Sequence, residues 1–361
     1  MNDVEFLALL VHRGHLSRAE AQHLVPRLQA GAGLDDLLID DLGWSAERVD
    51  EMRRTRAGEI PELPGFEVLG KIGTGGTAEV FKAADRRQGQ RGQSVALKVL
   101  QPASTAHAPT RKAFIAEARL LQKLSHPNLI GCFGVARSGN TFFTMLEFIE
   151  GKTALELLDE RGAFTEEEAL GVILGAAEAL RYLAAEGVVH RDVKPGNVMI
   201  TKDKQVKLID LGFAVSVQGE TGAGASAKEH ETTVGTAAYL SPEQARGAAM
   251  ADSRSDVYSL GVSLFHLVVG RLPFEGSDDG EILRKQVMDS LSSAELKGRG
   301  ISPHMHYFIE KMVAKDVEDR YQGFDELIAD IEQQLRGREE MDFGAGAQRR
   351  PKTGPIRRKR R

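Results

Sequence analysis

One short stretch of this sequence concentrates side chains that could perform acid–base and metal chemistry. It runs from His190 to Asn197 and contains a histidine, an arginine, an aspartate, a lysine and an asparagine. Short apolar runs flank it, so we expect a turn between two strands that places these side chains on one rim. There Asp192 could accept a hydroxyl proton, and Asn197 could offer its amide oxygen to a hard cation. A purely structural turn would explain the Asp, Pro, Gly and Asn, but not the lysine or the His–Arg pair.

A second carboxylate fits the same site. Asp210 ends the predicted strand Val206–Ile209, and near Asn197 it would complete an oxygen-rich site for Mg²⁺. Because magnesium keeps several waters and bridges substrate phosphates, one aspartate and one asparagine are sufficient protein ligands.

A lysine interrupts an apolar strand upstream. Strand alternation places Ala96, Lys98 and Leu100 on one face, so the ammonium group of Lys98 is expected to point inward and to need an anionic partner. Glu117 lies within the apolar stripe of a predicted helix and is the natural carboxylate for it. A carboxylate at the edge of that helix, without this partner, is the alternative.

The segment Gly73-Thr74-Gly75-Gly76 lies between two predicted strands. Glycines let a backbone approach a ligand closely and leave N–H groups available for phosphate oxygens. The segment is not a dinucleotide fingerprint, because a strand follows it, and it is not a Walker loop, because no Gly-Lys-Ser/Thr follows. A plain hairpin turn is the alternative.

These residues belong to a region in which strands precede helices, which favours an α+β fold with two lobes. The predicted strands are Phe66–Ile72, Val80–Ala84, Ser94–Leu100 and Thr141–Phe148, and the predicted helices are Ala154–Glu160, Glu166–Ala185, Asp256–Val269, Glu281–Met288, Pro303–Val313 and Phe324–Leu335. We predict a small helical module at 1–60, with helix N-caps at Ser17 and Ser45. A linker at 61–65 ends a Pro- and Gly-rich stretch. The two-lobed domain then covers 66–336, and a disordered basic tail covers 337–361.

The charge is distributed unevenly along the 361 residues. The net charge is −5, but residues 349–361 contain eight Lys/Arg and no acid, so residues 1–348 carry −13. The acidic body argues against a general nucleic-acid binder. For the basic tail, the sequence leaves open a solvated segment, one that folds back on the acidic body, and one that binds an acidic protein surface or another polyanion such as nucleic acid or anionic lipid.

The motifs together resemble those of eukaryotic-type (Hanks-type) protein kinases, and within them the Ser/Thr kinases of bacteria. The resemblance covers about three quarters of the chain. It implies a two-lobed kinase-like fold with a β-rich first lobe, a helical second lobe, and ATP with Mg²⁺, or alternatively Mn²⁺, as cofactors. It further implies that Asp192 is the catalytic base, that Lys194 contacts the γ-phosphate, and that Asn197 and Asp210 bind the metal.

The resemblance also implies where the nucleotide binds. The expected residues are Ile72, Gly73, Thr74, Gly75, Gly76, Ala78, Val80, Ala96, Lys98, Glu117, Glu147 and Ile149. Of these, Lys98 matches the lysine that holds the α- and β-phosphates, and Glu117 matches its helical partner. Adenine would lie between Val80 and Ala96, with Leu146 behind it and the backbone of 147–149 as its hydrogen-bond partner.

Regulation is expected in the segment that ends at Ser241-Pro242-Glu243. We predict autophosphorylation on one or both of Thr232 and Thr233, which raises activity, with Arg191 binding the phosphate. By resemblance, Thr236 helps to position a Ser/Thr acceptor, and Arg320 pairs with Glu243. A flexible loop without a switch is the alternative.

Three positions depart from the family pattern. Ala78 replaces the third glycine of the loop, and its small side chain should cause little loss. Leu211 replaces the phenylalanine after the metal aspartate and should fill the same apolar slot. Ser241 replaces an alanine, a mild change.

A Ser/Thr protein kinase is therefore the expected function, with protein substrates. Two alternatives stay open: a nucleotide-binding scaffold that acts through a protein partner of residues 1–60, and a small-molecule phosphotransferase. No uncharged apolar run is long enough to span a membrane, and the acidic segment Met1–Glu5 does not resemble a secretory signal. Cys132 is the single cysteine, which excludes an internal disulfide, and we expect a cytoplasmic protein.

Overall fold

The computed structural model divides into two compact units. It describes residues 3–12, 15–46, 48–49, 52, 61, 63–87, 92–212, 215–216, 236–247, 251–291 and 301–347. The first unit contains the described residues up to His126 together with Ile130–Glu150, and the second contains Pro127–Leu129 and the described residues from Gly151 onward. Within these ranges, no helix combines the length and the apolarity that crossing a bilayer requires.

The first unit begins with a helical module. Its helices are α1 Asp3–His12, α2 Arg18–Gln29 and α3 Leu34–Asp40. The predicted N-cap at Ser17 is confirmed, because its hydroxyl accepts from the backbone N–H of Glu20 while the Glu20 carboxylate accepts from the N–H of Ser17. The oxygen of Ser45 likewise accepts from the N–H of Arg48. Apolar side chains from all three helices and from Trp44 form one core.

A five-stranded antiparallel sheet follows the module in the same unit. Its strands are β1 Phe66–Thr74, β2 Ala78–Asp85, β3 Ser94–Leu100, β4 Cys132–Ser138 and β5 Thr141–Glu147, arranged in the order β1-β2-β3-β5-β4. Two helices, α4 Pro102–Ala106 and α5 Ala108–Leu121, connect β3 to β4. Alternate residues of β1, β2, β3 and β5 form the sheet core, with Phe81 and Leu97 at its centre.

The second unit is mainly helical. Its helices are α6 Ala154–Arg161, α7 Glu166–Ala185, α8 Pro242–Arg246, α9 Ser253–Val269, α10 Asp279–Met288, α11 Pro303–Met312 and α12 Phe324–Ala347. Its short strands are β6 Gly151–Thr153, β7 Val188–Val189, β8 Val198–Thr201, β9 Val206–Leu208 and β10 Val215–Ser216. Short 3₁₀ helices cover Pro195–Asn197, Thr236–Tyr239 and Val317–Asp319. The α+β class and the β-rich and helical lobes predicted from the sequence are confirmed.

The central helix α9 is buried along nearly its whole length. Its N-terminus is capped by Asp252, and it ends at Gly270, whose φ of 77° is left-handed. A side chain at Gly270 would also collide with the carbonyl of Gly162. Glycine is therefore required at this helix end on both counts.

Two sequence expectations need correction. Strand β4 was not predicted, because its stretch Cys132–Ser138 mixes apolar, glycine and charged residues without strict alternation. The helix predicted over Phe324–Leu335 is longer in the structure, because α12 continues to Ala347. The basic segment 349–361 lies outside the described residues.

Candidate active site

The first unit places the glycine segment in the turn between β1 and β2. The ladder pairs Gly73 with Val80, and the N–H of Gly75 donates to the carbonyl of Ala78 at 2.8 Å. A side chain at Gly73 would contact Val80, and one at Gly75 would contact the backbone of Ala78. The turn therefore presents a backbone largely free of side chains, which is the property that close approach of a phosphate requires.

The strand register places the predicted nucleotide-binding side chains on one face of the sheet. Val80 pairs with Lys98, and Ala96, two positions before Lys98, pairs with Leu146. Residues directly opposite each other, and residues two apart on one strand, point to the same face. Val80, Ala96, Lys98 and Leu146 therefore share that face, and Lys82, which pairs with Ala96, lies on it as well.

Lys98 has the carboxylate partner that the sequence predicted. Its Nζ lies 2.8 Å from Oε1 of Glu117 on α5, and the two side chains are 19% and 12% exposed. A mostly buried ammonium group requires such a partner, since its desolvation would otherwise be uncompensated. The pair fixes the position of α5 against β3.

The end of β5 forms the edge of this face. The carboxylate of Glu147 accepts from the backbone N–H of Gly131 at 3.0 Å, and the N–H of Glu147 donates to the carbonyl of Gly131 at 2.8 Å. Ile149 is buried. The side chain of Glu147 thus has a structural role, and a ligand would address the backbone of 147–149.

The second unit brings the stretch His190–Asn197 together around Asp192. Lys194 Nζ lies 2.9 Å from both carboxylate oxygens of Asp192, and it also donates to Thr236 Oγ1 at 2.9 Å. Asn197 donates its Nδ2 to the backbone carbonyl of Asp192 at 2.8 Å and to Oδ2 at 2.9 Å. The Asp192 carboxylate is therefore held by an ammonium group and an amide, and the same ammonium group also binds the hydroxyl of Thr236.

The environment of Asp192 suits proton transfer. The residue is 6% exposed, and burial raises the pKa of its carboxyl, while Lys194 and the amide of Asn197 act in the opposite direction. A carboxylate with a raised pKa is a better proton acceptor than a solvated one, provided that it stays ionised. The hydrogen bonds to its charged form favour that state.

Asp256 is a positioning residue that sequence reasoning missed. This buried carboxylate on α9 accepts from the backbone N–H groups of His190 and Arg191, both at 2.8 Å. Arg191 has a φ of 68°, an unfavourable value for a residue with a side chain. The two hydrogen bonds hold the turn in this conformation. The signal available in the sequence was an aspartate inside the apolar pattern of α9.

His190 contributes to the same turn as a neutral ring. Burial lowers the pKa of its imidazole to about 4, so the ring is uncharged at ordinary pH. Its Nδ1 can then accept from the backbone N–H of Asp192 at 3.2 Å. The histidine therefore orients Asp192 through the backbone.

The two candidate metal ligands are adjacent. Ile209 donates its N–H to the carbonyl of Asn197 at 3.0 Å, which places Asp210 beside the asparagine. The hydrogen bonds from Nδ2 to Asp192 fix the amide so that Oδ1 faces the other way. Among the described residues, no cluster of three or more His, Cys, Asp or Glu could hold a metal, so a hard cation here would need additional oxygens from substrate or water. Leu211 is buried, as predicted for its apolar slot.

The predicted pair of Arg320 and Glu243 is present. NH1 and NH2 of Arg320 donate to the two carboxylate oxygens of Glu243 at 2.8 and 3.0 Å, and Ser255 Oγ also donates to Oε1. Burial would raise the pKa of Glu243, but the hydrogen bonds from Arg320 and Ser255 outweigh it and lower the pKa to about 2. The bidentate pair anchors the start of α8.

Ser241 has a role that its sequence position did not suggest. It is the N-cap of α8, accepting from the N–H of Gln244, and Gln244 donates its Nε2 to the carbonyl of Arg191 at 2.9 Å. The departure from alanine thus supplies a helix cap. Through its hydrogen bond to Arg191, Gln244 links the start of α8 to the turn that carries Asp192.

The predicted site residues fall into two groups, one in each unit. The first unit holds Ile72, Gly73, Thr74, Gly75, Gly76, Ala78, Val80, Ala96, Lys98, Glu117, Glu147 and Ile149, and the second holds Arg191, Asp192, Lys194, Asn197, Asp210, Thr236, Glu243 and Arg320. The predicted phosphorylation sites Thr232 and Thr233 lie outside the described residues.

Comparison with known proteins agrees with this geometry. A family model described as "Protein kinase domain" matches residues 66–331. A probable serine/threonine-protein kinase of Streptomyces coelicolor is 35% identical over 277 residues, which cover 75% of this chain and 40% of that protein. Serine/threonine-protein kinase PknB of Mycobacterium tuberculosis is 35% identical over 269 residues, covering 73% of this chain and 42% of that protein.

A probable serine/threonine-protein kinase of Clostridium perfringens is 32% identical over 267 residues, covering 74% of this chain and 38% of that protein. The match thus spans about two fifths of the length of these curated relatives. The paired Lys98 and Glu117, the turn that carries Asp192, and the match to 66–331 agree: the chain belongs to the protein kinase family.

Proposed function

We propose that this chain is a serine/threonine protein kinase that transfers the γ-phosphoryl group of ATP to Ser or Thr hydroxyls of proteins. The observation that carries the proposal is Lys194, which bonds both Asp192 and Thr236 at 2.9 Å. A base, a cation and a hydroxyl are thereby linked through one side chain. The hydroxyl belongs to the segment that ends at Glu243, which is called the activation segment below. The names of the bacterial relatives support the same reaction class.

Asp192 is the proposed catalytic base. It would orient the acceptor hydroxyl and take its proton as the new P–O bond forms. Lys194, whose ammonium group lies against this carboxylate, would neutralise the charge that develops on the transferred phosphoryl group. The rigid turn held by Asp256 contributes by positioning, since phosphoryl transfer asks little covalent chemistry of the protein.

ATP is the proposed nucleotide, bound by the glycine turn and by the sheet face that carries Lys98. The ammonium group of Lys98, held by Glu117, would bind the α- and β-phosphates, and Val80 and Ala96 would contact the adenine. Asn197 and Asp210 would hold Mg²⁺ or Mn²⁺ together with oxygens of the phosphates. When bound, the metal supplies charge neutralisation at the phosphates.

A transfer assay tests this function directly. The full chain and its Asp192→Asn variant are incubated with γ-labelled ATP and a general protein substrate. Asp203→Asn, in an exposed turn of the same unit, is the matched control. We expect transfer by the wild type and the control, and a loss of about 10²–10⁴-fold in Asp192→Asn. ATP binding without transfer by the wild type would favour a scaffold, and transfer to sugar or aminoglycoside hydroxyls but not to protein would favour a small-molecule phosphotransferase.

Activation by autophosphorylation is part of the proposal. Thr232 and Thr233 precede Thr236 in the sequence, and Arg191, beside the catalytic base, would bind a phosphate placed on either. Mass mapping of the active chain should find phosphate at one of these threonines, and the Thr232→Ala/Thr233→Ala double variant should lose activation. Active protein with neither threonine phosphorylated would contradict it.

The two extensions have separate proposed roles. We propose that residues 349–361, with eight Lys/Arg, bind a polyanion or an acidic protein surface, and that residues 1–60 contact a protein. Deleting 349–361 should abolish binding to a polyanion such as heparin and its salt dependence; unchanged binding would exclude this role. A cytoplasmic location is proposed as well, and cell fractionation tests it.

A further inference from the structure

The N-terminal module is a folded body outside the region that matches the kinase family. Helices α1–α3 and the described residues up to Met52 bury one apolar core that includes Phe6, Leu24 and Trp44. The N–H of Leu34 donates to Asp3 at 3.0 Å and ties α3 to α1. The family match begins only at residue 66, so nothing in that match assigns the module a role.

The module packs against the first strand of the kinase sheet. Leu69 of β1 contacts the core of the module rather than the core of the sheet. A register shift between Val68 and Gly70 interrupts the ladder at this point, and such bulges redirect side chains. Val68 itself belongs to the sheet core. Val68 and Leu69, although adjacent in β1, therefore pack against two different cores, that of the sheet and that of the module.

A polar contact accompanies this apolar one. Nδ1 of His15, in the segment between α1 and α2, lies 3.1 Å from Oε1 of Glu67 on β1, and the two side chains are 2% and 13% exposed. Arg86, directly after β2, binds the other oxygen of Glu67. The imidazole and the carboxylate lie at ion-pair distance while both are mostly buried, so displacement of the module would change the electrostatic environment of both groups. Glu67, Leu69 and Arg86 are called the docking face below.

The docking face is directly connected to the candidate nucleotide site. Among the described strands, β1 is at the edge of its sheet and pairs with β2 alone. It runs as one strand from Glu67 and Leu69 to Thr74 at the glycine turn, and its ladder with β2 shifts register a second time between Lys71 and Gly73. Edge strands open more readily than central strands, and contacts outside the ladder oppose that opening. The module is therefore placed to stabilise the strand that carries the turn.

We propose that the docking face binds the chain's own N-terminal module, and that this docking sets the affinity of the glycine turn for ATP. The inference rests on the proposed function only in taking ATP as the nucleotide. Docking favours ATP binding because it holds β1 at Glu67 and Leu69, ahead of the glycine turn. Its effect on the turn is transmitted along the strand. Loss of this docking would therefore alter the nucleotide site through β1.

The test uses the full chain with Glu67→Gln, His15→Gln and the double variant. Arg18→Gln, exposed at the start of α2, is the matched control. Hydrogen exchange of the β1 amides reports docking, and direct titration with ATP reports affinity without requiring transfer. We expect faster exchange over Phe66–Thr74 and ATP affinity weakened about threefold or more in each single variant, with no further loss in the double variant. The control should behave as the wild type.

Three results would overturn the inference. Unchanged β1 exchange in Glu67→Gln would show that the contact does not hold the strand. Because Glu67 lies outside the module, faster exchange in this variant cannot be attributed to the loss of a side chain inside the module. Faster exchange with unchanged ATP affinity would show docking without an effect on the site. Additive losses in the double variant would show that His15 and Glu67 act independently. Failure of the wild type to transfer phosphate would instead contradict the proposed function and leave these binding measurements interpretable.

Discussion

Arg320 binds Glu243 with two hydrogen bonds, although 77 positions separate the two residues in the sequence. The side chain of Arg320 is fully buried and also donates to the backbone carbonyls of Ala314, Arg254 and Lys315. One guanidinium group thus connects the segment before α12, the start of α9 and the N-terminus of α8. The carboxylate that it binds follows directly on Pro242, at the end of the activation segment.

Arg320→Ala should strongly destabilise the second unit. Removing one partner of a buried ion pair leaves an uncompensated charge, which costs about 3–5 kcal/mol. The measurement is urea unfolding followed by circular dichroism. Arg336→Ala is the control, because Arg336 is exposed and its ion pair with Glu332 is loose, at 3.9 Å. This substitution should change the free energy of unfolding by about 0.5 kcal/mol or less. Equal effects of the two substitutions would contradict a central role for the buried pair.

The same pair predicts an acid-sensitive component of stability. The pKa of Glu243 is lowered from 4.5 to about 2, so its stabilising contribution is complete above the pKa of the unfolded chain. It is lost as pH falls from about 4.5 toward 2, and amounts to about 3 kcal/mol. Unfolding free energies measured across this window should fall less steeply in Glu243→Gln than in the wild type. Parallel curves would mean that other carboxyl groups carry the acid sensitivity.

Much of the site could be predicted because its parts are local in sequence. Lys98 interrupts an apolar strand, and the stretch from His190 to Asn197 contains the base, its lysine and a metal ligand within eight positions. Asp256 could not be assigned, since its partners are backbone N–H groups 65 and 66 positions away. No side-chain pattern reports a backbone hydrogen bond between distant segments. The contact between His15 and Glu67 was not anticipated either, because the two side chains lie far apart in the sequence.

Asp256→Asn tests whether the carboxylate on α9 holds the backbone of the turn His190–Asn197, which is called the catalytic turn below. An asparagine retains one oxygen acceptor but presents an N–H₂ group to the second backbone N–H, so one hydrogen bond is replaced by a repulsive contact. Arg191, with its φ of 68°, should then relax toward a more favourable conformation. We expect the rate of transfer to fall about 10-fold or more, while the affinity for ATP is retained.

The control for Asp256→Asn is Asp252→Asn, at the N-cap of the same helix. Asp252 caps α9 and pairs with Arg254, but it does not contact the catalytic turn in the hydrogen bonds described. Asparagine is an equally good N-cap, so the rate should stay near that of the wild type. Wild-type transfer rates in Asp256→Asn would show that the turn keeps its geometry without the carboxylate.

The hydroxyl of Thr236 provides the most specific test of the acceptor site. Lys194 donates to it at 2.9 Å while contacting Asp192, so the threonine fixes the position of the ammonium group beside the proposed base. Thr236→Val preserves the shape and removes the hydrogen bond, and kcat should fall about 10-fold with little change in the KM for ATP. Thr236→Ser restores the hydroxyl and should recover most of the rate. Thr201→Val, at the end of β8 and away from the catalytic turn, controls for loss of a threonine hydroxyl. If Thr236→Ser were as slow as Thr236→Val, the methyl group rather than the hydrogen bond to Lys194 would be the element that matters.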